Sequence, residues 1–524
     1  MSSITQAPSM LAIPVLSPAE SAAWDSDAER AGIQPVTLME CAGRAAAAVL
    51  GARFGSSMSG GVIVAAGTGN NGGDGWVVAR ALHRGGISVW VAPLAGQGSE
   101  LQTRMAGLAR AEGVRVVDPI GPWPGVGLAI DAILGTGAKG SPRPPAADLA
   151  ARLHDLSVPI VALDGPTGVD LANGTAYGRA SADLSITFGG LRRGHALARD
   201  QVGAVVVVDI GHPPARAEWP TVMTDRVAAR LLPRLDAKAH KGTRGRIVVI
   251  GGAEGMSGAL RMAGRAAFAG GAGLVHVVAP DATIQVVRTA DADLQTLVHD
   301  FDTQPGDKLL NMVQRADAVV VGPGLGRAPG RREFLLTILD AASTAVIDAD
   351  ALMAFAGALP DLHRASTGKY FVLTPHPGEF RTVFPELAPE MEVDPWAAAT
   401  KAARSVNATV LLKGVPTVVA REDTSAQTIV AGNPGLATGG SGDVLAGLIA
   451  TFLAQGLEPH HAAALGAQVL GRSADLAARS QTARALRPLD VIAAVPGVWR
   501  AWRQAQESVS MAPVLFELER PEQT

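Results

Sequence analysis

The sequence predicts an α/β protein of two domains, each with a sheet of mainly parallel strands covered by helices. Short runs of β-branched residues alternate with Ala-rich segments that are typical of helices. The strand candidates are continuous apolar runs, which is typical of parallel strands buried on both faces. This alternation stops once, near residue 215, and then restarts. A chain of 524 residues is also too long for one ordinary domain.

Six apolar runs are predicted as strands in the first half, with helices such as Trp76–Arg84 and Leu101–Glu112 between them. This order of strand, helix and strand predicts a Rossmann-like, doubly wound sheet. The predicted strands are Gly61–Ala66, Ser88–Pro93, Ala129–Leu134, Pro159–Asp164, Leu184–Phe188 and Ala204–Ile210.

The boundary between the two domains is predicted from a break in the pattern. Gly211–Pro214 ends the last strand, and Ala215–Pro220 has no periodic pattern. The predicted domains are therefore 1–218 and 219–505, and 506–524 is predicted as a C-terminal tail. The strands predicted for the second domain are Arg246–Ile250, Gly273–Ala279, Ala318–Val321, Ala345–Asp348, Phe371–Thr374 and Thr409–Leu412.

Composition excludes several classes of protein. Apolar residues make up 48% and charged residues 18% of the chain, so general disorder is excluded. The net charge of −3 gives no reason to expect nucleic acid or an anionic membrane as a partner. Cys41 is the only cysteine, which excludes an intrachain disulfide and a cysteine-based metal site. Arg30 is the first basic residue and no apolar stretch reaches about 18 residues, so a soluble, cytoplasmic protein is expected.

A glycine-rich segment, Gly67–Gly75, follows the first predicted strand and leads into a helix. Free backbone N–H groups in such a turn and at the helix N-terminus favour a bound phosphate. The spacing matches neither the dinucleotide GxGxxG pattern nor a Walker A loop. A purely structural tight turn is the alternative, but the density of glycines beside Asn70 and Asn71 favours a binding loop.

Asp131 lies near the end of one predicted strand and Asp164 ends the next, and a glycine-rich loop follows each strand. Ligands bind at the carboxyl ends of the strands of a doubly wound sheet. Both aspartates are therefore expected to share one pocket with Asn71 and Thr167. Their oxygen atoms suit an alkali or alkaline-earth cation better than zinc. Each aspartate taken singly is equally well explained as a helix N-cap.

Together these three loops resemble the YjeF N-terminal domain, a family of epimerases of hydrated NADH and NADPH. The family's asparagine-glycine-aspartate loop appears as Asn70–Asp74, its DxxxGTG loop as Asp131–Gly137, and its aspartate-proline-serine-glycine loop as Asp164–Gly168. Gly165 and Thr167 depart from the family, which usually has an apolar residue and a serine there. Threonine keeps the hydroxyl group that the serine would supply.

This resemblance implies the functional residues of the first domain. Asn71, Asp131 and Thr167 would hold a potassium ion. Asp131 and Asp164 would be the catalytic carboxylates. The residues implied in substrate binding are Asn70, Asn71, Gly72, Gly73, Asp74, Gly135, Thr136, Gly137, Ala138, Lys139, Gly140, Ser141 and Asp164.

The decisive segment of the second half runs from Asn433 to Gly447. A glycine-rich turn leads there into an apolar helix with Asp443 at its start. The backbone N–H groups of the turn, Gly439–Gly442, are suited to hold developing phosphoryl charge, as in an oxyanion hole. Asp443 is placed to accept a proton from an attacking hydroxyl. A simple helix cap is the alternative interpretation of Asp443.

The second half resembles the ribokinase-like superfamily, whose anion-hole and base motif is matched by Gly439–Asp443. The magnesium-organising Asn-x-x-Glu of that superfamily appears here as His376-x-x-Glu379. The histidine indicates one branch, the ADP- or ATP-dependent dehydratases of hydrated NAD(P)H. His240–Gly245 and Gly251–Ala259 also resemble opening motifs of that branch.

This second resemblance implies a nucleotide site, a substrate site and a magnesium ion, which Glu379 would organise indirectly. The residues implied in nucleotide binding are Lys413, Gly414, Val415, Pro416, Thr417, Gly439, Gly440, Ser441 and Gly442. Those implied in binding the hydrated nicotinamide nucleotide are Ala259, Gly326, His376 and Asp443.

The two resemblances together imply a repair enzyme for both forms of hydrated NADH and NADPH. The first domain would interconvert the R and S epimers, and the second would dehydrate the S form at the expense of ADP or ATP. Two alternatives stay open: a ribokinase-like kinase for a hydroxymethylpyrimidine or a sugar, and a first domain that only binds a nucleotide-like ligand. Small molecules are the expected partners, and a homo-oligomer is expected.

Overall fold

A computed structural model of the chain describes residues 12–507 and 513–520. These residues form two compact units, of which the first ends at Thr221 and the second begins at Val222. The C-terminal segment 513–520 belongs to the first unit. Each unit contains one large, mainly parallel sheet with helices, which confirms the predicted α/β class. No helix among the described residues is long and apolar enough to cross a membrane.

Within the described residues, the main sheet of the first unit has eight strands in the order β20-β9-β7-β6-β5-β2-β3-β4, and only β20 is antiparallel to its neighbour. A short parallel pair, β1 with β8, lies outside it. The strands, numbered in chain order, are β1 (Val15–Leu16), β2 (Val62–Ala66), β3 (Val89–Pro93), β4 (Arg115–Val116), β5 (Leu128–Ala132), β6 (Ile160–Leu163), β7 (Leu184–Phe188), β8 (Leu191–Arg192), β9 (Ala204–Val208) and β20 (Val514–Leu518).

The helices of the first unit include one that begins earlier than expected. Helix α3 starts at Asn70 rather than Trp76, so most of the glycine-rich segment forms its first turns. The helices are α1 (Pro18–Arg30), α2 (Pro35–Met58), α3 (Asn70–Arg84), α4 (Glu100–Ala111), α5 (Ala146–Asp155), α6 (Arg193–Leu197) and α7 (Arg199–Val202).

Burial explains why the central strands have no polar alternation. Every residue of β2, β5 and β7 is buried, because apolar helices cover both faces of the sheet. Helix α3 lies so close to β5 that a Cβ at Gly75 would be 2.6 Å from the Cβ of Ala132. Glycine at this position therefore lets the start of α3 approach the carboxyl end of β5.

The sheet of the second unit, as far as the structure describes this unit, has ten strands in the order β10-β19-β18-β17-β16-β15-β14-β11-β12-β13. The strands from β17 to β13 in this order pair in parallel, and β18 is antiparallel to both of its neighbours, β17 and β19. These strands are β10 (Thr221–Val222), β11 (Arg246–Ile250), β12 (Leu274–Ala279), β13 (Gln295–Val298), β14 (Ala318–Val321), β15 (Thr344–Ile347), β16 (Tyr370–Leu373), β17 (Thr409–Leu412), β18 (Thr417–Arg421) and β19 (Thr424–Ile429).

Helices cover this second sheet as well, with three short 3-10 helices at 385–387, 434–436 and 483–485. The α-helices are α8 (Asp225–Leu231), α9 (Ser257–Gly270), α10 (Asp281–Ala290), α11 (Asp307–Gln314), α12 (Arg331–Ala341), α13 (Asp350–Ala354), α14 (Leu359–Ser366), α15 (Pro377–Val383), α16 (Ala388–Val393), α17 (Pro395–Val406), α18 (Ser441–Ala454), α19 (Pro459–Gln481) and α20 (Pro488–Glu507).

Helix α18 is the central helix of this unit and is buried from Val444 to Leu453. It packs closely on α9, since a Cβ at Gly447 would lie 2.1 Å from the carbonyl oxygen of Ala263. An all-apolar helix is expected where neighbours surround it on every side. Its first turn, with Asp443, is thereby fixed in position.

The end of the chain differs from the predicted tail. Residues 514–518 form β20, which pairs with β9, and the N–H of Asp209 donates to the carbonyl of Pro513 at 2.6 Å. Phe516 and Leu518 of this strand are buried. Glu517 forms an ion pair with Arg53 of α2 at 2.5 Å. The remainder of the predicted tail includes 508–512 and 521–524, which lie outside the described residues.

Truncation after Glu507 should destabilise the first unit, because it removes β20 and exposes the edge of β9. Loss of the strand and its two buried side chains should cost roughly 2–4 kcal/mol, which lowers the melting temperature of this unit by about 5–10 °C. Differential scanning calorimetry would measure the shift. Truncation after Leu518 keeps the strand and is the control. Equal melting temperatures for the two truncations would contradict a stabilising role of β20.

Candidate functional site

Each unit has a cluster of polar side chains at the carboxyl ends of its parallel strands, where α/β sheets bind ligands. The first cluster consists of Asn71, Asp131, Asp164 and Thr167. The second cluster consists of Asp348, Glu379, Lys413 and Asp443.

The three predicted cation ligands lie together in the first cluster. The carboxylate of Asp131 accepts hydrogen bonds from the backbone N–H of Thr167 at 2.7 Å and from its hydroxyl at 2.8 Å. The Thr167 hydroxyl accepts from the N–H of Leu134 at 3.1 Å, and Asn71 Nδ2 donates to the Leu134 carbonyl at 2.9 Å. Asn71 Oδ1 is buried and has no hydrogen-bond partner within the described part of the chain. Such an oxygen is costly to bury unless a ligand satisfies it.

Burial raises the pKa of the Asp131 carboxyl, although the hydrogen bonds from Thr167 and Ile133 act in the opposite direction. All its donors are neutral groups. A bound cation would favour the ionised form of Asp131, which the buried site otherwise disfavours.

The two departures from the family motif have structural explanations. Thr167 places its hydroxyl within the hydrogen-bonded cluster, where the serine of the family is expected. A Cβ at Gly165 would lie 2.9 Å from the side chain of Leu171. The Leu171 side chain therefore fills the space next to Gly165, and an apolar side chain there would clash with it.

Asp164 is held by charged and hydroxyl groups. Its Oδ2 accepts hydrogen bonds from the N–H of Thr136 at 2.6 Å and from the Thr136 hydroxyl, and its Oδ1 lies 3.4 Å from Nη2 of Arg192. Burial would raise the pKa of Asp164, but Arg192, the Thr136 hydrogen bonds and His195 outweigh it and lower the pKa. Asp164 is therefore ionised at neutral pH.

Asp74 is a second carboxyl group near Asp164 that the sequence placed in the substrate loop. Burial, together with the charges of Asp164 and Asp25, raises its pKa well above the usual range. Its carboxyl group has no hydrogen bond or ion pair to any residue that the structure describes. Asp74 thus tends to keep a proton where Asp164 loses one.

The predicted substrate loop, Gly135–Ser141, follows β5 and faces both the first cluster and solvent. A Cβ at Gly135 would lie 3.1 Å from the Asn71 Cβ and 3.2 Å from Asp164 Oδ2, so its start is packed into the cluster. Lys139 is exposed. Asn70, at the start of α3, is exposed too, and its Oδ1 accepts from the Ser99 hydroxyl at 3.1 Å.

The second cluster surrounds the first turn of α18. Burial and the charge of Asp348 raise the pKa of Asp443 to about 7, while Lys413 acts in the opposite direction. The preceding Gly440 has φ +103°, a conformation that favours glycine, and it starts the helix from the glycine-rich turn. Asp443 is therefore able to gain and lose a proton near neutral pH.

Asp348 was missed by the sequence analysis, and it is the most deeply buried member of the second cluster, 1% exposed. Its Oδ1 forms an ion pair with Lys413 Nζ at 2.9 Å, and Lys413 lies 4.0 Å from Glu379 Oε2. A Cβ at Gly442 would lie 3.3 Å from Lys413 Nζ and 3.4 Å from Asp348 Oδ2. The rule that drew attention to Asp131 would have found Asp348, since both carboxylates follow a buried parallel strand.

His376 and Glu379 form a capping box at the start of α15. His376 Nδ1 accepts from the N–H groups of Gly378 and Glu379 at 3.0 and 3.3 Å, and Glu379 Oε2 accepts from the His376 N–H at 2.8 Å. The imidazole is exposed, while the Glu379 carboxylate is buried beside Lys413. The two side chains therefore cap the start of α15, and the Glu379 carboxylate also lies beside Lys413 of the cluster.

The remaining predicted residues of the second unit lie on two loops and on one helix. The nucleotide loop begins at Lys413, whose N–H donates to the Pro375 carbonyl at 2.9 Å, and Val415 in this loop is 72% exposed. The N–H of Gly326 donates to Asp350 Oδ2 at 3.0 Å. Ala259 lies in the first turn of α9 and is partly exposed.

Comparison with known families matches one family to each unit. The family described as YjeF-related protein N-terminus matches residues 36–194, and the family described as NAD(P)H-hydrate dehydratase matches residues 247–496. Both resemblances that the motifs predicted are confirmed.

The chain is also similar to curated proteins and to solved structures. The chain is 36% identical over 515 residues to the bifunctional NAD(P)H-hydrate repair enzyme Nnr of Salinibacter ruber, covering 90% of this chain and 93% of that protein. It is 36% identical over 433 residues to the enzyme of the same name from Escherichia coli, covering 80% of this chain and 81% of that protein. Among solved structures, the chain is similar to the ADP/ATP-dependent NAD(P)H-hydrate dehydratase of Bacillus subtilis, co-crystallised with ATP and Mg²⁺. The match covers 54% of this chain and 98% of that one, with 26% identity and a TM-score of 0.48.

Replacing Asp348 with Asn should lower the pKa of Asp443 from about 7, because it removes the negative charge that disfavours ionisation of Asp443. The pH dependence of the ¹³C NMR signals of labelled aspartate carboxyl groups would give the pKa. The signal of Asp443 would be assigned as the one that is missing from the spectrum of Asp443→Asn. Asp307→Asn, an exposed aspartate in the first turn of α11, is the control. An Asp443 pKa that is the same with and without Asp348 would contradict this account of the cluster.

Proposed function

The chain belongs to the bifunctional NAD(P)H-hydrate repair enzymes, and we propose that its first unit epimerises hydrated NADH and NADPH while its second unit dehydrates the S epimer. The dehydration consumes ADP or ATP. The observation that carries this proposal is Asp443, a partly buried carboxyl with a pKa of about 7 in the first turn of a buried helix. A general base is most effective when its pKa lies near the working pH.

In the second unit, Asp443 takes the proton from the C6 hydroxyl of the hydrate. The hydroxyl oxygen attacks the terminal phosphoryl group of the nucleotide, and the shortened nucleotide leaves. Phosphate then departs from C6 and a proton from C5, which restores the C5–C6 double bond. The N–H groups of Gly439–Gly442 and the ammonium of Lys413 are suited to stabilise the phosphoryl charge. Lys413 is already held in place by Asp348.

Magnesium fits this second cluster as an ion bound mainly by nucleotide phosphates. Glu379 offers a buried carboxylate oxygen, the kind of ligand that Mg²⁺ prefers. The described residues contain no group of three or more His, Cys, Asp or Glu that could hold a metal alone. When bound, the ion supplies positive charge to the transferred phosphoryl group. The contribution of Glu379 is accordingly indirect, through water or through Lys413.

In the first unit, the C6 hydroxyl leaves as water and returns to the other face of a cationic ring. Asp74, which tends to keep its proton, is suited to protonate the departing hydroxyl and to take the proton back from the incoming water. Asp164, ionised and buried, is suited to stabilise the positive charge of the ring. Asp131 accepts three hydrogen bonds from Thr167 and Ile133, and one lone pair of Oδ2 is left for a cation. Asp131 would therefore serve the reaction through the cation that it would hold.

Potassium fits the first cluster because the site offers only oxygen ligands. Asn71 Oδ1 is a buried oxygen without a partner among the described residues, and Asp131 and Thr167 lie beside it in the same hydrogen-bonded cluster. A weakly demanding alkali cation suits such a set better than a transition metal. Asn71, Asp131 and Thr167 would hold the ion, which would order the loop Gly135–Ser141 around the substrate phosphates.

One experiment separates this proposal from its rivals. Mixed hydrate epimers incubated with ADP or ATP should yield NADH, seen as an increase in absorbance. Formation of a stable phosphorylated product from hydroxymethylpyrimidine would instead favour a kinase. A first unit that only binds nucleotides would leave epimer interconversion at the spontaneous rate. A cytoplasmic location and a homo-oligomeric state stay predictions from the sequence.

Asp443→Asn should reduce nucleotide-dependent recovery of NADH by roughly 10²–10⁴-fold, because it removes the general base and leaves the loop intact. Nucleotide affinity, measured by calorimetry, should change little, since asparagine has the same shape. Asp307→Asn, at the start of another helix of the same unit, should retain full activity. Recovery at the wild-type rate would remove Asp443 from the mechanism.

Asp131→Ala should abolish potassium binding and lower epimerisation by on the order of 10²-fold. With mixed epimers, the rapid phase of NADH formation should survive, because the second unit still accepts one epimer. The remainder should convert at the slow spontaneous rate. Asp155→Ala, an exposed aspartate of the same unit, is the control. If Asp131→Ala consumes both epimers as fast as wild type, the assignment of this carboxylate is wrong.

A further inference from the structure

Arg192 is a buried arginine of the first unit that the sequence analysis did not select. It is 5% exposed and ends β8, directly before α6. Its Nη1 donates to the carbonyl of Gly190 at 3.0 Å, so the guanidinium group is fixed from behind by the backbone. Long, charged side chains are rarely buried unless they meet specific partners.

The other side of this guanidinium group faces the proposed substrate site. Nε of Arg192 donates to the Thr136 hydroxyl at 2.9 Å, and Nη2 lies 3.4 Å from Asp164 Oδ1. Thr136 donates both its N–H, at 2.6 Å, and its hydroxyl to Asp164 Oδ2. Arg192, Thr136 and Asp164 thus form a closed triangle of hydrogen bonds and one ion pair.

The polarity of this triangle is fixed in one direction. The hydroxyl of Thr136 has a single proton, which it gives to Asp164, so its lone pair is free to accept from Arg192. Both oxygens of Asp164 are then engaged, one by Thr136 and one by Arg192. A planar guanidinium group can contact a hydroxyl and a carboxylate at once, which an ammonium group does less well.

The backbone of the same segment supports Asp164. Asp164 has φ +64°, a left-handed conformation that residues other than glycine adopt only when their surroundings hold them there. Nε2 of His195 contacts the Asp164 carbonyl at 2.5 Å, and Nδ1 of His195 accepts from the Arg192 N–H at 3.0 Å. Since Nδ1 is an acceptor, Nε2 carries the proton and donates. The turn Arg192–His195 therefore holds both the side chain and the backbone of Asp164.

We propose that Arg192 is a positioning residue of the epimerase reaction, which locks the Asp164 carboxylate and the loop residue Thr136 into one rigid unit against the hydrated nicotinamide ring. This inference rests on the proposed epimerase function and deepens it. The ring must become cationic while water leaves and returns, so a carboxylate in a fixed position lowers the barrier more than a mobile one. Arg192 acts through Asp164 and contacts no reacting atom itself.

The test starts from one separated epimer of hydrated NADH, without nucleotide, and follows formation of the other epimer by liquid chromatography. Arg192→Ala should lower kcat by about 100-fold, since misplacement of a positioned group by about 1 Å has effects of this size. KM should change much less than kcat, because Arg192 contacts the loop Gly135–Ser141 only at Thr136 and the rest of that loop is left to hold the substrate phosphates. Arg192→Lys should keep part of the activity. Adding millimolar guanidinium ion to Arg192→Ala should restore part of kcat.

A matched control and a double variant complete the test. Arg179→Ala removes an exposed arginine of the same unit and should leave kcat unchanged. Thr136→Val removes the shared hydroxyl, and adding it to Arg192→Ala should cost far less than the product of the two single effects, since both break the same triangle. Purely multiplicative effects would contradict a single unit.

The outcomes separate this inference from the proposed function. If the wild-type protein does not interconvert the epimers, the epimerase function itself is wrong. If wild type is active and Arg192→Ala keeps the wild-type kcat, only the inference fails. A loss in kcat that guanidinium ion does not restore and that Arg192→Lys shares in full would indicate a merely structural arginine, and it would also overturn the inference.

Discussion

Compensation of buried carboxylates at the ends of parallel strands is the constraint on which both sites depend. A carboxylate that leaves water must find a positive charge or hydrogen-bond donors, or it keeps its proton. In the first unit, Asp131 receives only neutral donors and its pKa is raised, whereas Asp164 receives the guanidinium group of Arg192 and its pKa is lowered. Two carboxyl groups at the ends of neighbouring strands thereby have pKa values shifted in opposite directions, which allows them to take different roles in one site.

The second unit places two other aspartates beside one positive charge. Asp348 is buried and paired with the ammonium group of Lys413, which compensates its charge directly. Asp443 has no ion pair of its own with any described residue, and burial together with the neighbouring Asp348 disfavours its ionisation, so its pKa rises to about 7. One lysine is thus shared unequally between two carboxylates. This unequal sharing leaves Asp443 able to exchange a proton at neutral pH, as base catalysis requires.

Much of the fold could be predicted from the sequence, because buried parallel strands appear in it as continuous apolar runs. Continuous apolar runs placed β2, β5 and β7, and similar runs in the second unit, within two residues of their observed ends. Site residues within glycine-rich motifs were also accessible, because the motif itself fixes their position at a strand end. Arg192 could not be found in this way. The role of Arg192 depends on its contact with Asp164, which is distant in sequence, and no local pattern records that contact.

The same reasoning explains why β20 escaped prediction. Val514–Leu518 is short, follows a long helix of the other unit, and adds to the sheet antiparallel to its neighbour β9. The family match to the first unit ends at residue 194, well before this strand. A strand added at the edge of a sheet must satisfy only one neighbour and one buried face, so a few apolar residues suffice. Because β20 supplies the edge strand of its sheet, the first unit is discontinuous in sequence. A single cut of the chain near residue 221 would therefore separate β20 from the rest of this unit.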